Sequence, residues 1–275
     1  MHTLSLTVLG RYVRIQCQDA GTCALLLANY GHMQGKLQAV DLMYTVGKRK
    51  VASAFFIARE GQEPLVASDG GECLFLFEKD MTIELQKLRC DLYFVHAAVL
   101  EFECSAFMLV AASGGGKSTL TWGLLHHGFR YFSDELGPVN LKTLEVYPYP
   151  HALCLKAEPP GSYPVPEKTL YTSRTLHVSV EDLPSGVGRG PTPLRAAFFL
   201  QYRPELCGPV VRPISRAEAA VRLYANTLNP LAHPGNGLNG AIEIATRSTC
   251  FELFTADLPA TCALVKASLK GVSCG

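Results

Sequence analysis

Ala111-Ala112-Ser113-Gly114-Gly115-Gly116-Lys117-Ser118-Thr119 is the stretch on which the reading of this chain turns. An apolar, strand-like run precedes it (Phe107, Met108, Leu109, Val110), and a helix-like one follows (Leu120, Trp122, Leu124, Leu125). Strand, glycine loop and helix in that order predict a phosphate-binding P-loop spanning Ser113 to Thr119. Glycines at 114, 115 and 116 let successive N–H groups turn inward toward phosphate oxygens, and the helix N-terminus adds partial positive charge. Lys117 then reaches the β- and γ-phosphates, and the Ser118 hydroxyl is placed to ligate Mg2+. The Walker pattern has glycine at the position of Ala111. Alanine is the smallest replacement, so the loop reads as altered but intact. The competing reading is a glycine-rich turn with an incidental lysine.

Downstream, the helix is expected to stop near His127, with Gly128 taking the left-handed position that ends helices. Phe129–Ser133 then reads as a returning strand, and Asp134 follows Lys117 by 17 residues. One helix and one strand fit in that interval and end beside the loop, at the carboxyl edge where α/β sheets bind ligands. Phosphoryl transfer needs a metal on the β- and γ-oxygens and a group that positions or deprotonates the attacking hydroxyl. The adjacent acids Asp134 and Glu135 are able to divide those tasks. A solvated turn is the alternative, opposed by the apolar Phe129, Tyr131 and Phe132 just before. Upstream, His96 opens a strand-like stretch 21 residues before Lys117; by itself a histidine is more often packed or superficial than catalytic.

The chain has 275 residues, 48% hydrophobic and 18% charged, which suits a globular protein with a substantial core. A net charge of +1 leaves no electrostatic footprint for nucleic acid. No apolar run reaches the roughly 18–20 residues of a membrane span, and the N-terminus lacks the pattern of a signal peptide. A cytoplasmic location with no membrane partner is therefore expected. Ten cysteines occur without a C-x-x-C pair. Most have apolar neighbours (Cys73, Cys104, Cys250), so they read as reduced, buried small hydrophobes rather than disulfides or zinc ligands.

Residues 1–90 read as a β-rich region of short strands and turns, around Leu4–Val8, Tyr12–Ile15, Leu42–Val46 and Ala54–Ala58. Gly70-Gly71 reads as a turn before Cys73–Phe77, and Asp80–Leu92 as a helix. Residues 91–275 form the second domain. Strands are expected at His96–Glu103 and Ser105–Ala111, and a hairpin from Val139–Leu141 to Leu144–Tyr147. The Pro- and Gly-rich 157–193 reads as a long loop, either a substrate-binding lid or a solvated connector. Ala196–Tyr202 and Phe251–Phe254 read as strands, and Arg216–Leu228 and Leu258–Leu269 as helices. The fold class is α/β.

The three segments His96-Ala-Ala-Val-Leu100, Ser113-Gly-Gly-Gly-Lys-Ser-Thr119 and Gly128-Phe-Arg-Tyr-Phe-Ser-Asp134-Glu135, in this order and spacing, resemble the kinase domain of the HPr kinase/phosphorylase family. They look closer still to related serine kinases of bacterial biosynthetic clusters, including kinases of lasso-peptide precursors. The resemblance is strong over residues 93–156 and weaker at 194–228 and 251–269. It implies a phosphoenolpyruvate-carboxykinase-like P-loop kinase core that uses ATP and Mg2+. It implies Asp134 as general base, Glu135 and Ser118 as metal ligands, Lys117 on the phosphates and His96 near the acceptor. The pair is Asp-Asp in the bifunctional enzymes, so Glu135 is a departure. The Arg-Gly signature tied to phosphorolysis is not recognisable after the acids, and Gly186-Val-Gly-Arg-Gly190 is similar in composition but placed elsewhere. A kinase without phosphorylase activity is expected, acting on a serine hydroxyl of a peptide or protein, with residues 1–90 serving substrate recognition. Self-assembly into a homo-oligomer is a habit of that family; the residues themselves leave oligomeric state open.

Two other readings stand beside it. A small-molecule hydroxyl kinase also places an aspartate soon after its P-loop, and Arg212 and Arg216 imitate the lid arginines of such enzymes. Those chains begin with the loop, whereas more than ninety residues precede it here. A non-catalytic nucleotide-binding protein is the third, supported by Ala111 and opposed by Lys117, Ser118 and Asp134 together. Lys156 and Arg195 are weaker candidates for phosphate contacts, since surface arginines and lysines are the default.

Overall fold

The computed structural model describes residues 2–36, 39–49 and 54–272; Cys274 lies outside them. The chain opens with two antiparallel strands, β1 (His2–Val8) and β2 (Arg11–Cys17). Alternation buries Leu4, Leu6 and Val8 together with Val13, Ile15 and Cys17. A helix that periodicity did not reveal follows, α1 (Ala20–Tyr30), capped by Asp19, whose Oδ1 accepts the Thr22 N–H at 2.8 Å. Its Ala-Gly-Thr-Cys-Ala-Leu-Leu-Leu sequence has no polar stripe to set against an apolar one, so only the cap marks it. α1 carries the chain over to β3 (Leu42–Lys48), which lies parallel to β2. β4 (Phe55–Arg59) and β5 (Leu65–Ala67) complete a five-stranded sheet in the order β1-β2-β3-β4-β5.

Helix α2 (Gly70–Leu88) corrects the expected turn at Gly70-Gly71 and the separate start at Asp80. Asp69 caps it by accepting the Glu72 N–H at 2.9 Å, and the Glu72 carboxylate reaches back to the Ser68 N–H at 2.8 Å. The two glycines thus occupy the first helical turn, where the cap outweighs their poor propensity. On the buried side of α2, Phe77 meets Tyr30 and Tyr44 edge-on at 5.4 and 5.0 Å.

The next strands are β6 (Tyr93–Phe102) and β7 (Ser105–Val110), followed by helix α3 (Lys117–His126). β8 (Arg130–Ser133), β9 (Leu136–Asn140) and β10 (Glu145–Val146) come next. Gly128 does take the left-handed conformation after α3, at φ 86°. The region expected as a long loop, 157–193, holds two strands instead, β12 (Leu170–Tyr171) and β13 (Leu176–Val178), which with β11 (Leu153–Leu155) just before it form a three-stranded sheet ordered β11-β13-β12. The last elements are β14 (Thr192–Tyr202), β15 (Val210–Pro213), α4 (Arg216–Ala225), α5 (Leu238–Arg247), β16 (Thr249–Thr255) and α6 (Leu258–Lys270).

The chain divides into two compact units. The first runs to Arg89 and also takes Pro150–Glu158 and Val165–Asp182, so it holds the five-stranded and three-stranded sheets. The second comprises Cys90–Tyr149, Pro159–Pro164 and the chain from Leu183 on. Its eight-stranded sheet follows the path β10-β9-β6-β7-β14-β16-β15, with β8 attached to β6. β7, β14 and β16 run parallel, with Val110, Phe199 and Glu252 in register. β10 also pairs with β14, so β6, β7, β14, β10 and β9 close a ring. Val95, Ala97, Val99, Met108 and Val110 join Ala219, Leu223, Ala241 and Ile244 of α4 and α5 in one core cluster. Alternation turns His96 and Ala98 the other way.

Among the described residues no helix is long and apolar enough to cross a membrane, and the nine cysteines are all free. Cys17, Cys73, Cys250 and Cys262 are buried as expected, but Cys104 is exposed, at a turn with φ 62°. Its apolar neighbours belong to the strands on either side of that turn.

Candidate active site

The loop leaves β7 at its carboxyl end and enters α3 at Lys117. Gly114 and Gly116 stand in the left-handed region, at φ 85° and 87°, where other residues are strained. Gly115 has a different reason: a Cβ there would lie 2.7 Å from the Ala111 Cβ. Ala111 is accommodated because position 115 has no side chain. Ala112, Ser113 and Gly114 are exposed, and Ser118 and Thr119 are half-buried in the first helical turn.

Lys117 is only 6% exposed. Its Nζ donates to the Ala111 carbonyl at 2.7 Å and to His96 Nε2 at 2.9 Å. An ammonium has no lone pair, so His96 accepts at Nε2 and carries its proton on Nδ1. Nδ1 faces Glu135 Oε1 at 3.3 Å. Glu135, His96, Lys117 and the Ala111 carbonyl thus form one continuous polar chain. His96 is further fixed through its backbone, whose N–H donates to Asn226 O at 2.7 Å.

The acidic pair is positioned by the register of β6. Val99 stands opposite Ser133 and His96 opposite Leu136. Asp134 and Glu135 form the bend between β8 and β9, and the Ala97 N–H donates to Glu135 O at 3.2 Å. The bend that carries the acids is therefore tied to β6 on both sides and through the Ala97 N–H. Asp134 is 1% exposed. Its Oδ2 accepts from the Ser118 hydroxyl at 3.0 Å and its Oδ1 from the Tyr131 hydroxyl at 2.7 Å. Glu135, by contrast, is 53% exposed along its side chain.

His96, Lys117, Ser118, Asp134 and Glu135 are thus brought together in the second unit. The partners differ from those expected: Ser118 meets Asp134, while Glu135 meets His96. Tyr131 is a site residue that sequence reasoning missed. Asp134 lies in the bend just past the end of β8, so no strand spacing signalled the contact. The turn that Ser133 Oγ makes by accepting the Leu136 N–H at 2.9 Å re-aims Asp134.

The glycine-rich run at 186–190 is remote in sequence yet lies along β8. Tyr131 N–H donates to Gly186 O at 3.1 Å, and Gly188 N–H to Tyr131 O at 3.0 Å. A Cβ on Gly188 would fall 1.7 Å from the Phe132 ring, so only glycine fits this edge. Of the other basic candidates, Lys156 belongs to the first unit, and Arg195 sits at a register shift in β14. Arg212 Nε donates to the buried Glu252 at 2.6 Å, and Arg216 is exposed at the start of α4.

These residues fit a nucleotide phosphate and Mg2+. The loop is a glycine cradle with a buried ammonium at its base. Ser118 Oγ and Asp134 Oδ2 are adjacent hard oxygens of the kind Mg2+ takes alongside phosphate and water. The described residues contain no cluster of three or more His, Cys, Asp or Glu side chains arranged to hold a metal.

No family model matches the chain, and no curated protein does. Among solved structures, the chain is similar to the Hpr(Ser) kinase/phosphatase from Coxiella burnetii. The identity is 12%, the alignment covers 66% of this chain and 99% of that one, and the TM-score is 0.33. A likeness that remote transfers no activity.

Proposed function

We propose that the chain is an ATP- and Mg2+-dependent kinase that transfers a γ-phosphoryl group to a serine hydroxyl of a peptide or protein, without phosphorylase activity. The observation that carries this reading is the convergence of Lys117, Ser118, Asp134 and the His96–Glu135 pair at the carboxyl end of β7. The serine acceptor comes from the sequence resemblance in residues 113–119 and 128–135.

When bound, ATP supplies the phosphoryl group and Mg2+ neutralises its oxygens. Lys117 would hold the β- and γ-phosphates in place of its Ala111 and His96 contacts, which would leave His96 Nε2 as an acceptor. Ser118 would be a ligand of the metal, and Asp134 Oδ2, no longer holding that hydroxyl, would take the proton of the acceptor hydroxyl. Tyr131 keeps Oδ1 fixed meanwhile, so the carboxylate stays oriented. A second reading is favoured by the Ser118–Asp134 contact and by the exposure of Glu135: Asp134 stays with Ser118 at the metal, and Glu135, backed by His96, is the base.

The test is incubation with labelled ATP and two acceptor sets, serine peptides and small hydroxyl compounds. Label on peptide serine is expected. Label on the small compounds alone favours the small-molecule kinase, and ATP binding without transfer to either set favours the non-catalytic protein. Lys117→Ala should abolish nucleotide binding, measured by calorimetric titration. Phosphopeptide offered with inorganic phosphate should release no pyrophosphate; its appearance would overturn the kinase-only reading.

A further inference from the structure

The first unit holds a thiol–imidazole pair that the kinase reading does not use. Cys154 on β11 stands directly opposite His177 on β13 in the antiparallel ladder. Cys154 Sγ lies 3.3 Å from His177 Nδ1 and 3.4 Å from the Ala152 carbonyl, to which the neutral thiol donates. The ring is 5% exposed and fixed on both edges, by Asn29 Oδ1 at 2.8 Å from Nδ1 and Thr175 Oγ1 at 2.8 Å from Nε2. Each of these partners has a lone pair. A doubly protonated imidazolium would find an acceptor at each ring nitrogen here, with the sulfur beside Nδ1. Asn29 is 2% exposed, and its Nδ2 is a buried donor without a hydrogen-bond partner. Cys154 itself is partly exposed.

We propose that Cys154 is a nucleophilic thiol activated by His177, and a site of covalent modification by low-molecular-weight disulfides. The thiolate attacks one sulfur of the disulfide. The S–S bond breaks with its electron pair on the departing sulfur, and the imidazolium proton neutralises that leaving thiolate. The products are a mixed disulfide on Cys154 and one free thiol, with the disulfide as the only oxidant. The other cysteines are built differently. Burial pushes the Cys17, Cys73 and Cys262 thiols up to about 12, so they are inert. Cys90, Cys104 and Cys207 are exposed, and serve as internal references.

The experiment treats the full-length protein at neutral pH with oxidised glutathione, and in parallel with iodoacetamide, and follows each cysteine by peptide mass spectrometry. Cys154 should react about tenfold faster than Cys90, Cys104 and Cys207, as imidazole-activated thiols do. His177→Gln should bring Cys154 down to the rate of the references while leaving theirs unchanged. Thr175→Val, which removes the Nε2 partner of the ring without touching the sulfur, should slow Cys154 to a lesser degree. Reaction of wild-type Cys154 no faster than the three exposed cysteines would overturn the proposal without any variant. Kinase activity does not enter the readout, so the two readings fail independently.

Discussion

At position 115 one methyl group decides whether the glycine loop keeps its shape. A Cβ on Gly115 would lie 2.7 Å from that of Ala111. Gly115→Ala should therefore cost about 1–3 kcal/mol, typical of overpacking, seen as weakened ATP-analogue binding in calorimetry. Adding Ala111→Gly should recover part of that loss, because the clashing atom is gone; no recovery would mean that Ala111 is not the constraint. The acids make a second prediction. If Asp134 is the base, Asp134→Asn should lower kcat by about 10²–10⁴-fold at an unchanged Mg2+ requirement. If Glu135 with His96 is the base, Glu135→Gln should carry that loss, and Asp134→Asn should instead raise the Mg2+ needed for half-maximal rate. The sequence shows which residue types are present but not which oxygen meets which hydroxyl. That pairing depends on the β6 register and on the turn at Ser133.

Among the elements, β16 carries the most consequential charge outside the loop. Glu252 is 2% exposed and accepts from Arg212 Nε at 2.6 Å, Arg222 at 2.7 Å and Gln201 at 3.0 Å. Burial opposes its ionisation, but the two guanidiniums more than offset this and hold its carboxyl below the usual range. The stability it adds is present above the unfolded glutamate value of about 4.3 and is lost as pH falls through the lower folded value. Arg212→Ala with Arg222→Ala should leave the carboxylate buried without a cation. The cost expected for breaking such a pair is about 3–5 kcal/mol, measured by urea denaturation at neutral pH. The difference from wild type should shrink under acid. A pH-independent difference would assign the loss to the stacking of the two guanidinium groups over Phe199 and Phe254 instead.

For the whole molecule, the division into units predicts what a cut at residue 90 does. The first unit recruits chain from beyond position 150. Ala152 N–H donates to Asn29 O at 2.7 Å at the end of α1, and Ser173 Oγ to Asp69 Oδ1 at 2.9 Å at the cap of α2. Residues 1–90 expressed alone lack both contacts. Amide exchange should accordingly be faster in the last turn of α1 and the first turn of α2 than in the full chain. Equal protection would show that the N-terminal segment folds without the later strands. The Pro- and Gly-rich composition of 157–193 concealed this return, because its strands are short and joined by turns, so no alternation accumulates.

The amino-acid order alone determined the strand, glycine loop and helix from Phe107 to Leu125, the stop at Gly128 and most of the long strands. Those are local matters, governed by side-chain periodicity and by φ values that only glycine takes easily. It also marked His96, Lys117, Ser118, Asp134 and Glu135 as the residues to watch. Tertiary structure decided their contacts, the place of Tyr131, the return of 150–182 to the first unit and the alignment of 186–188 with β8. Each of these joins residues distant in sequence or reverses a strand's facing, and hydrophobic pattern carries no record of such pairings.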